Sequence, residues 1–387
     1  MKPEIRPDVV AMERSGIRQV MDIAWATPNV IHLEVGEPNF STPEHICEAA
    51  AKAIRAGETR YTPNAGVAPL REALADKVHR INGINAHPDQ VTVSAGAVQA
   101  IYAAMISFMA PGDEILLPDP GWPNFRMMAT LLSATPIYYP LRAENGFLPD
   151  AKEIASLVTP RTKAILINTP SNPLGTVIPA NVLQEIYEMA SKHNLWIVSD
   201  ECYDQITFEQ PMASIGANDP EERVISTYSF SKSYAMTGWR VGYAITPKRI
   251  SGDIAKLQEP LISCVSSPAQ FAALAALQGP QECIQEMRDA YRERRDSAAE
   301  VAKAANLDFI MPAGAFYFWL GIKETKMPSL DFVLKLVREH AIATAHGSAF
   351  GNFGEGYVRV SLANTKESIL KGVTAIANQH AQLIQHN

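Results

Sequence analysis

The sequence predicts an α/β fold: a large, mostly parallel β-sheet sandwiched by helices, with a smaller α+β domain beside it. Three observations carry this. Through the middle of the chain a short apolar strand is repeatedly followed by an amphipathic helix, the pattern of a parallel sheet covered on both faces. After about residue 285 the texture changes to a long charged helix and isolated strands. The length, 387 residues, exceeds what one simple core organises and suits one large plus one small domain.

In chain order, apolar runs predict strands over residues 90–93, 114–117, 135–138, 164–168, 196–199, 224–228 and 241–245. Helical periodicity between them predicts helices over 68–81, 97–108, 125–132 and 180–193. The long charged helix covers 284–305 and leads to strands at 316–319 and 357–362. Residues before Ser41 lack the alternation and are expected to pack with the C-terminal unit. The division is 46–285 for the large domain, with 1–45 and 286–387 forming the small one.

Composition narrows the class. Hydrophobic residues at 47% and charged residues at 19% are those of an ordinary soluble globular chain. With a net charge of -7 and no long basic run, a nucleic-acid partner is not expected. The densest basic cluster, Arg292, Arg294 and Arg295, is interrupted by Glu293 and reads as a solvated helix face. Residues 95–110 fall short of the ~20 apolar positions of a membrane span and read as a buried helix. No signal peptide is visible at the N-terminus, and Cys47, Cys202, Cys264 and Cys283 are scattered without a CxxC pair. The expectation is a reducing cytoplasm and free thiols. The histidines form neither HExxH nor a helical i, i+4 pair, so no metal site is expected.

Several segments carry chemistry. In TYSFSKSYAMTGWRVGY (227–243), Lys232 lies just beyond a strand in a stretch poor in charge. Desolvation there favours a neutral amine able to form a Schiff base with a carbonyl cofactor. Arg240, eight positions on, suits a phosphate. A snorkelling surface lysine and a core-edge arginine are the plain alternatives. In LWIVSDECYDQITF (195–208), Asp200 ends an apolar strand, where α/β sheets place ligands, and Tyr203 follows three residues later. Asp200 reads equally well as a helix N-cap.

In INTPSNPLGTV (167–177), Asn172 precedes Pro173 and is biased to extended backbone, so its amide can face a ligand; alone, the segment is a turn signal. VTVSAGAVQAIYAAM (91–105) runs from strand through small residues into helix, which leaves the amides of Gly96, Ala97 and Val98 for an anion. Trp122, in the proline-flanked loop DPGWPNF, can stack on a flat ring or simply fill the core. Arg359 sits inside the apolar strand GYVRVSL and needs a carboxylate partner, either a substrate's or an internal Asp or Glu.

The order of these pieces resembles the class I/II aminotransferases, the fold type I pyridoxal-phosphate (PLP) enzymes related to aspartate and aromatic aminotransferases. SxGAxQA, a tryptophan between prolines, NPxG, SDExY, SxSK with GWRxGY, and a late RxS strand follow one another from LEVGEPNF (33–40) through RYTPNAGVAPLREALA (60–75) to RVSLAN. The resemblance implies a transaminase that binds pyridoxal 5'-phosphate as a Schiff base on Lys232 and works by a ping-pong mechanism. It implies that Asp200 pairs with the ring nitrogen, Tyr203 and Asn172 bond the phenolic oxygen, and Trp122 stacks on the ring. Ser229, Arg240 and the amides of Gly96, Ala97 and Val98 would hold the phosphate. Arg359, helped by the backbone at Gly36, would grip the substrate α-carboxylate. Tyr61 would reach the neighbouring subunit's phosphate in a homodimer with shared active sites.

The turn reads NPLG where NPTG is commoner, and no basic residue can be assigned to a substrate's distal carboxylate. Aromatic and aliphatic substrates therefore stay open. A PLP-dependent C–S β-lyase or amino-acid synthase on the same fold is the alternative. A PLP-sensing regulator would need a DNA-binding module of ~60 or more residues ahead of the likeness.

Overall fold

In the computed structural model, which describes residues 4–12 and 14–385, the apolar runs of the chain's middle assemble into one seven-stranded sheet. Across it lie Val91–Ser94, Gly242–Ile245, Val224–Ser229, Trp196–Asp200, Thr162–Asn168, Glu114–Asp119 and Thr135–Pro140. Gly242–Ile245 is antiparallel to both neighbours, and the other six strands point one way.

Alternate residues of each central strand enter opposite cores, as the two-residue period requires. Leu116, Ile165, Ile167 and Ile197 pack under helix Ala180–Lys192 through Leu183, Ile186 and Ala190. Ile115, Leu117, Leu166 and Val198 pack under Ala97–Phe108 through Ala100, Ile101 and Met105, and under Phe125 and Met128. Burial on both faces explains why these strands read as continuous apolar runs.

Several strands run one or two residues past their apolar pattern, because Asp119, Asp200 and Ser229 still pair in the sheet. The helix expected over 125–132 is Pro123–Leu131. Proline's fixed φ suits the first helical position, so the helix starts two residues earlier and sets Trp122 at its N-cap.

A second, antiparallel sheet follows the order Ala345–His346, Tyr357–Ser361, Tyr317–Gly321, Phe309–Ile310. The N-terminal segment joins this side: Ile31–His32 pairs in parallel with Ile342–Ala343, and Val20, Ala24 and Leu33 share a core with Phe318, Val358 and Val360. Among the described residues no helix is long and apolar enough to cross a membrane.

The long helix is Glu282–Ala304, and its basic cluster corrects the expectation of a solvated face. Arg295 is buried, bonded to Glu209 (2.6 Å) and the Pro312 carbonyl (2.9 Å) and lying over the Phe208 ring. Arg294 covers Phe40 and Tyr291. Long arginine stems shield apolar surface while their heads find acceptors.

Beside the sheet a buried ion pair joins Lys77 to Asp204. Asn82 bonds both partners, and the ammonium lies 4.6 Å from the Tyr228 ring centroid. Removing one member strands a buried charge, whereas replacing both by apolar residues does not. Asp204→Ala is expected to lower stability by roughly 3–5 kcal/mol in urea denaturation, and Lys77→Met with Asp204→Leu to recover most of that loss.

Candidate active site

The carboxyl ends of the parallel strands bring Asp119, Asn168, Asp200 and Ser229 to one edge of the large sheet. Outside that edge, toward the second sheet, lies a cleft of ≈ 460 Å³. Open α/β sheets bind ligands at this position. Gly36, Ala97, Val98, Trp122, Asn172, Asp200, Tyr203, Ser229, Lys232, Arg240 and Arg359 all line it. Gly96 stands directly behind the lining, whereas Tyr61 is 89% exposed and outside the cleft.

One end is built for an anion. Gly96, at φ 80°, turns the chain from strand into helix Ala97–Phe108, whose first amides have no intrahelical acceptor. Arg240 reaches across to the Ala95 carbonyl (3.1 Å) and its own loop's Thr237 carbonyl (2.7 Å), with no carboxylate partner among the described residues. A Cβ on Gly96 would meet this guanidinium at 2.6 Å. Gly242 is constrained from behind, since a Cβ there would stand 2.7 Å from the Ala97 nitrogen. Ser229 caps the single turn Phe230–Ser233, accepting from the Ser231 amide at 3.1 Å, and aims that turn at the cleft.

Lys232 rides on this turn. Its Nζ donates to the Gly36 carbonyl at 2.6 Å and lies 5.8 and 5.7 Å from the ring centroids of Tyr203 and Phe316. Burial lowers its pKa, which favours the neutral amine. Asp200 ends Trp196–Asp200 and pairs in register with Thr227 of Val224–Ser229, the strand that leads into the Lys232 turn. No helix starts at Asp200, which removes the N-cap reading; its Oδ1 accepts the Cys202 amide at 3.3 Å. Burial raises its pKa to about 6. A carboxylate so placed favours a cationic group from outside the chain.

The opposite end holds Arg359, 2% exposed. Its guanidinium donates to Asn172 Oδ1 (2.8 Å) and to the Glu34 carbonyl, and lies over the rings of Tyr317 (4.3 Å) and Phe350 (4.9 Å). No Asp or Glu pairs with it among the described residues, and its Nε is buried without an acceptor. The internal-carboxylate reading therefore falls. Gly36 meets the cleft through the carbonyl that accepts from Lys232.

Sequence reasoning missed three contributors. Asn168 bonds the Asp200 carbonyl (3.1 Å) through Nδ2 and accepts the Asn172 amide (2.8 Å), tying two strand ends together. A polar residue ending an apolar strand was the available signal. Tyr317 shares a 2.7 Å hydrogen bond with Tyr203 and stacks on Arg359. Ile17, Arg18 and Met21 enter from the N-terminal helix Gly16–Ala26, which carries no motif to mark it.

Comparison with known proteins agrees with this geometry. The family model for aminotransferases of class I and II matches residues 28–376. An aspartate aminotransferase of Pyrococcus horikoshii is 36% identical over 377 residues, 95% of each chain. An aromatic-amino-acid aminotransferase of Thermococcus litoralis is 37% identical over 360 residues, 92% of each chain. Among solved structures, the aspartate aminotransferase of Thermus thermophilus with maleate superposes with a TM-score of 0.92 at 33% identity, covering 98% of this chain and 100% of that one.

The Asp200 pKa has a measurable consequence. The folded chain keeps this proton up to pH about 6, whereas an unfolded aspartate loses it near ~3.9. Folding takes up a proton between those values, so stability falls as pH rises through the window and the full cost applies above it. Asp200→Asn is expected to stabilise the ligand-free chain by roughly 2–3 kcal/mol at pH 7.5, a gain that vanishes below pH ~4. Thermal or urea unfolding at several pH values checks this.

Proposed function

We propose roles for these residues from one premise: the chain belongs to the class I and II aminotransferases and is a PLP-dependent transaminase. The relatives described above are all named as aminotransferases, which favours transamination over the lyase or synthase alternative. The carrying observation is that Lys232, Asp200 and a counter-ion-free Arg359 converge on one cleft.

The residues present fit the cofactor. Arg240, Ser229 and the amides of Gly96, Ala97 and Val98 form a cradle for a phosphate that a Cβ at Gly96 would obstruct. Asp200, buried without a cationic partner of its own beyond the nearby Lys232, suits a protonated ring nitrogen. Trp122 supplies a flat face, and Tyr203 and Asn172 supply polar groups for the phenolic oxygen. When bound, PLP supplies an electrophilic carbonyl carbon and a ring that takes up the electron pair released at the substrate Cα.

The chain's own residues do the rest. Lys232 would be the covalent anchor, and its Nζ, whose pKa burial lowers toward the neutral amine, would take and return the proton at the substrate Cα. Arg359 fixes the α-carboxylate and so directs the Cα–H toward Lys232. Asn172 holds that guanidinium in orientation. One cleft serves both halves of the exchange, an L-amino acid leaving as its 2-oxo acid before a second 2-oxo acid enters, which gives ping-pong kinetics.

The proposed unit is a homodimer. Tyr61 stands 89% exposed beside an apolar surface that includes Ile54, Ile262 and Val265, with its neighbour Thr62 bonded to Cys264 and Gln270. Such a tyrosine is available to a second copy's phosphate site. The four free cysteines are in keeping with a reducing cytoplasm.

Two measurements follow. Adding single amino acids to the purified protein is expected to convert its visible absorbance band to a near-ultraviolet one, and Lys232→Ala to lack that conversion and lose turnover by roughly 10⁴-fold. A band that persists while pyruvate and ammonia appear would favour the lyase. Tyr61→Phe is expected to weaken PLP retention several-fold in dialysis without changing the dimer mass in light scattering; a monomeric wild type would remove the shared-site assignment.

A further inference from the structure

A second cavity opens on the other edge of the large sheet, at the amino ends of the parallel strands. It measures ≈ 300 Å³ and lies between the loop after helix Ala68–Asn82, the turn Ile215–Asn218 and the start of helix Lys248–Ile262. Ser226 and its register partner Ile245 form part of its floor. Ser226 stands about 10 Å along its strand from Ser229, where that strand meets the active cleft. None of the residues lining this cavity lines the cleft.

Its polar groups are unengaged. Ser226 is 1% exposed, and its Oγ is buried without a hydrogen-bond partner among the described residues. Gly216 faces that hydroxyl, and a Cβ there would stand 2.8 Å from Oγ and 3.0 Å from Ile84 Cδ1. The φ of Gly216 is not positive, so space rather than backbone calls for glycine. Helix Lys248–Ile262 starts after Pro247, which has no side-chain acceptor for its first amides. Lys248 and Glu222 both line the cavity and are exposed, yet among the described residues neither side chain has a hydrogen bond or ion pair, with the other or elsewhere. The other charges nearby are occupied. Arg249 donates to the Glu222 carbonyl (3.0 Å) and lies over Trp196, and Asp219 accepts from Tyr187, Arg223 and Val224.

We propose that this cavity is a second, non-catalytic binding site for a small zwitterion, an α-amino acid with an apolar side chain. The first amides of helix Lys248–Ile262 and the Lys248 ammonium receive the carboxylate, where the helix dipole favours an anion. The Glu222 carboxylate takes the ammonium, with neighbouring Asp219 adding negative charge. Ile84, Val224 and Ile245 receive the side chain, and Ser226 supplies a hydrogen bond at the floor. A simple anion would face Glu222 and Asp219 uncompensated, and a simple amine would face Lys248 and the positive helix end. A ligand carrying both charges answers both.

The test is equilibrium dialysis of L-valine against borohydride-reduced holoenzyme, in which Lys232 stays tied to the cofactor and cannot be exchanged for substrate. Arg359→Gln in the same holoenzyme removes the clamp of the cleft, so the valine that still binds reports this cavity. In that protein 3-methylbutanoate, which lacks the ammonium, and 2-methylpropylamine, which lacks the carboxylate, are each expected to bind at least roughly 10-fold more weakly than valine. Lys248→Glu and Glu222→Lys, both at exposed positions, are each expected to lower valine affinity roughly 10- to 100-fold, and Ser226→Ala to lower it several-fold. An acid or amine that binds as well as valine overturns the ligand class. No valine bound to the Arg359→Gln protein, or binding that survives both charge reversals, overturns the site. These measurements do not depend on turnover, so they stand apart from the transaminase reading.

Discussion

A buried guanidinium without a counter-ion constrains this molecule more than any other single group. Arg359 stands on the second sheet, its acceptors come from the turn after a strand of the large sheet and from the N-terminal segment, and two aromatic rings cover its faces. Taking a charge out of water costs several kcal/mol, and two hydrogen bonds with cation–π contacts offset part of that. The rest is recovered when an anion arrives. Arg359 is therefore a clamp between three chain segments, and any anion that bound it would be thermodynamically linked to the cohesion of the two sheets.

The same logic holds where chemistry is proposed. Burial moves Asp200 up and Lys232 down, each toward its neutral form. In a site with no ligand both shifts are costs. A ring-cationic cofactor would give Asp200 its counter-charge, and a neutral Lys232 amine would suit a carbonyl partner.

Much of this was legible in the sequence because two-face burial leaves an unmistakable apolar run, and because polar residues at the ends of such runs have few structural reasons to be there. Asp200 and Lys232 stood out on that ground, and Arg359 as a charge within such a run. Local pattern could not decide between an N-cap and a ligand for Asp200, since that depends on whether the chain beyond it coils into a helix, and here it turns instead. Asn168, Tyr317 and Arg18 stayed hidden for another reason. Each owes its place to contacts across 30 to several hundred residues, and only Asn168, at the end of an apolar strand, carried a local signal. The basic cluster at 292–295 misled for the same cause: its charges looked solvated in sequence, while Phe208, Glu209 and Pro312, distant in the chain, enclose Arg295.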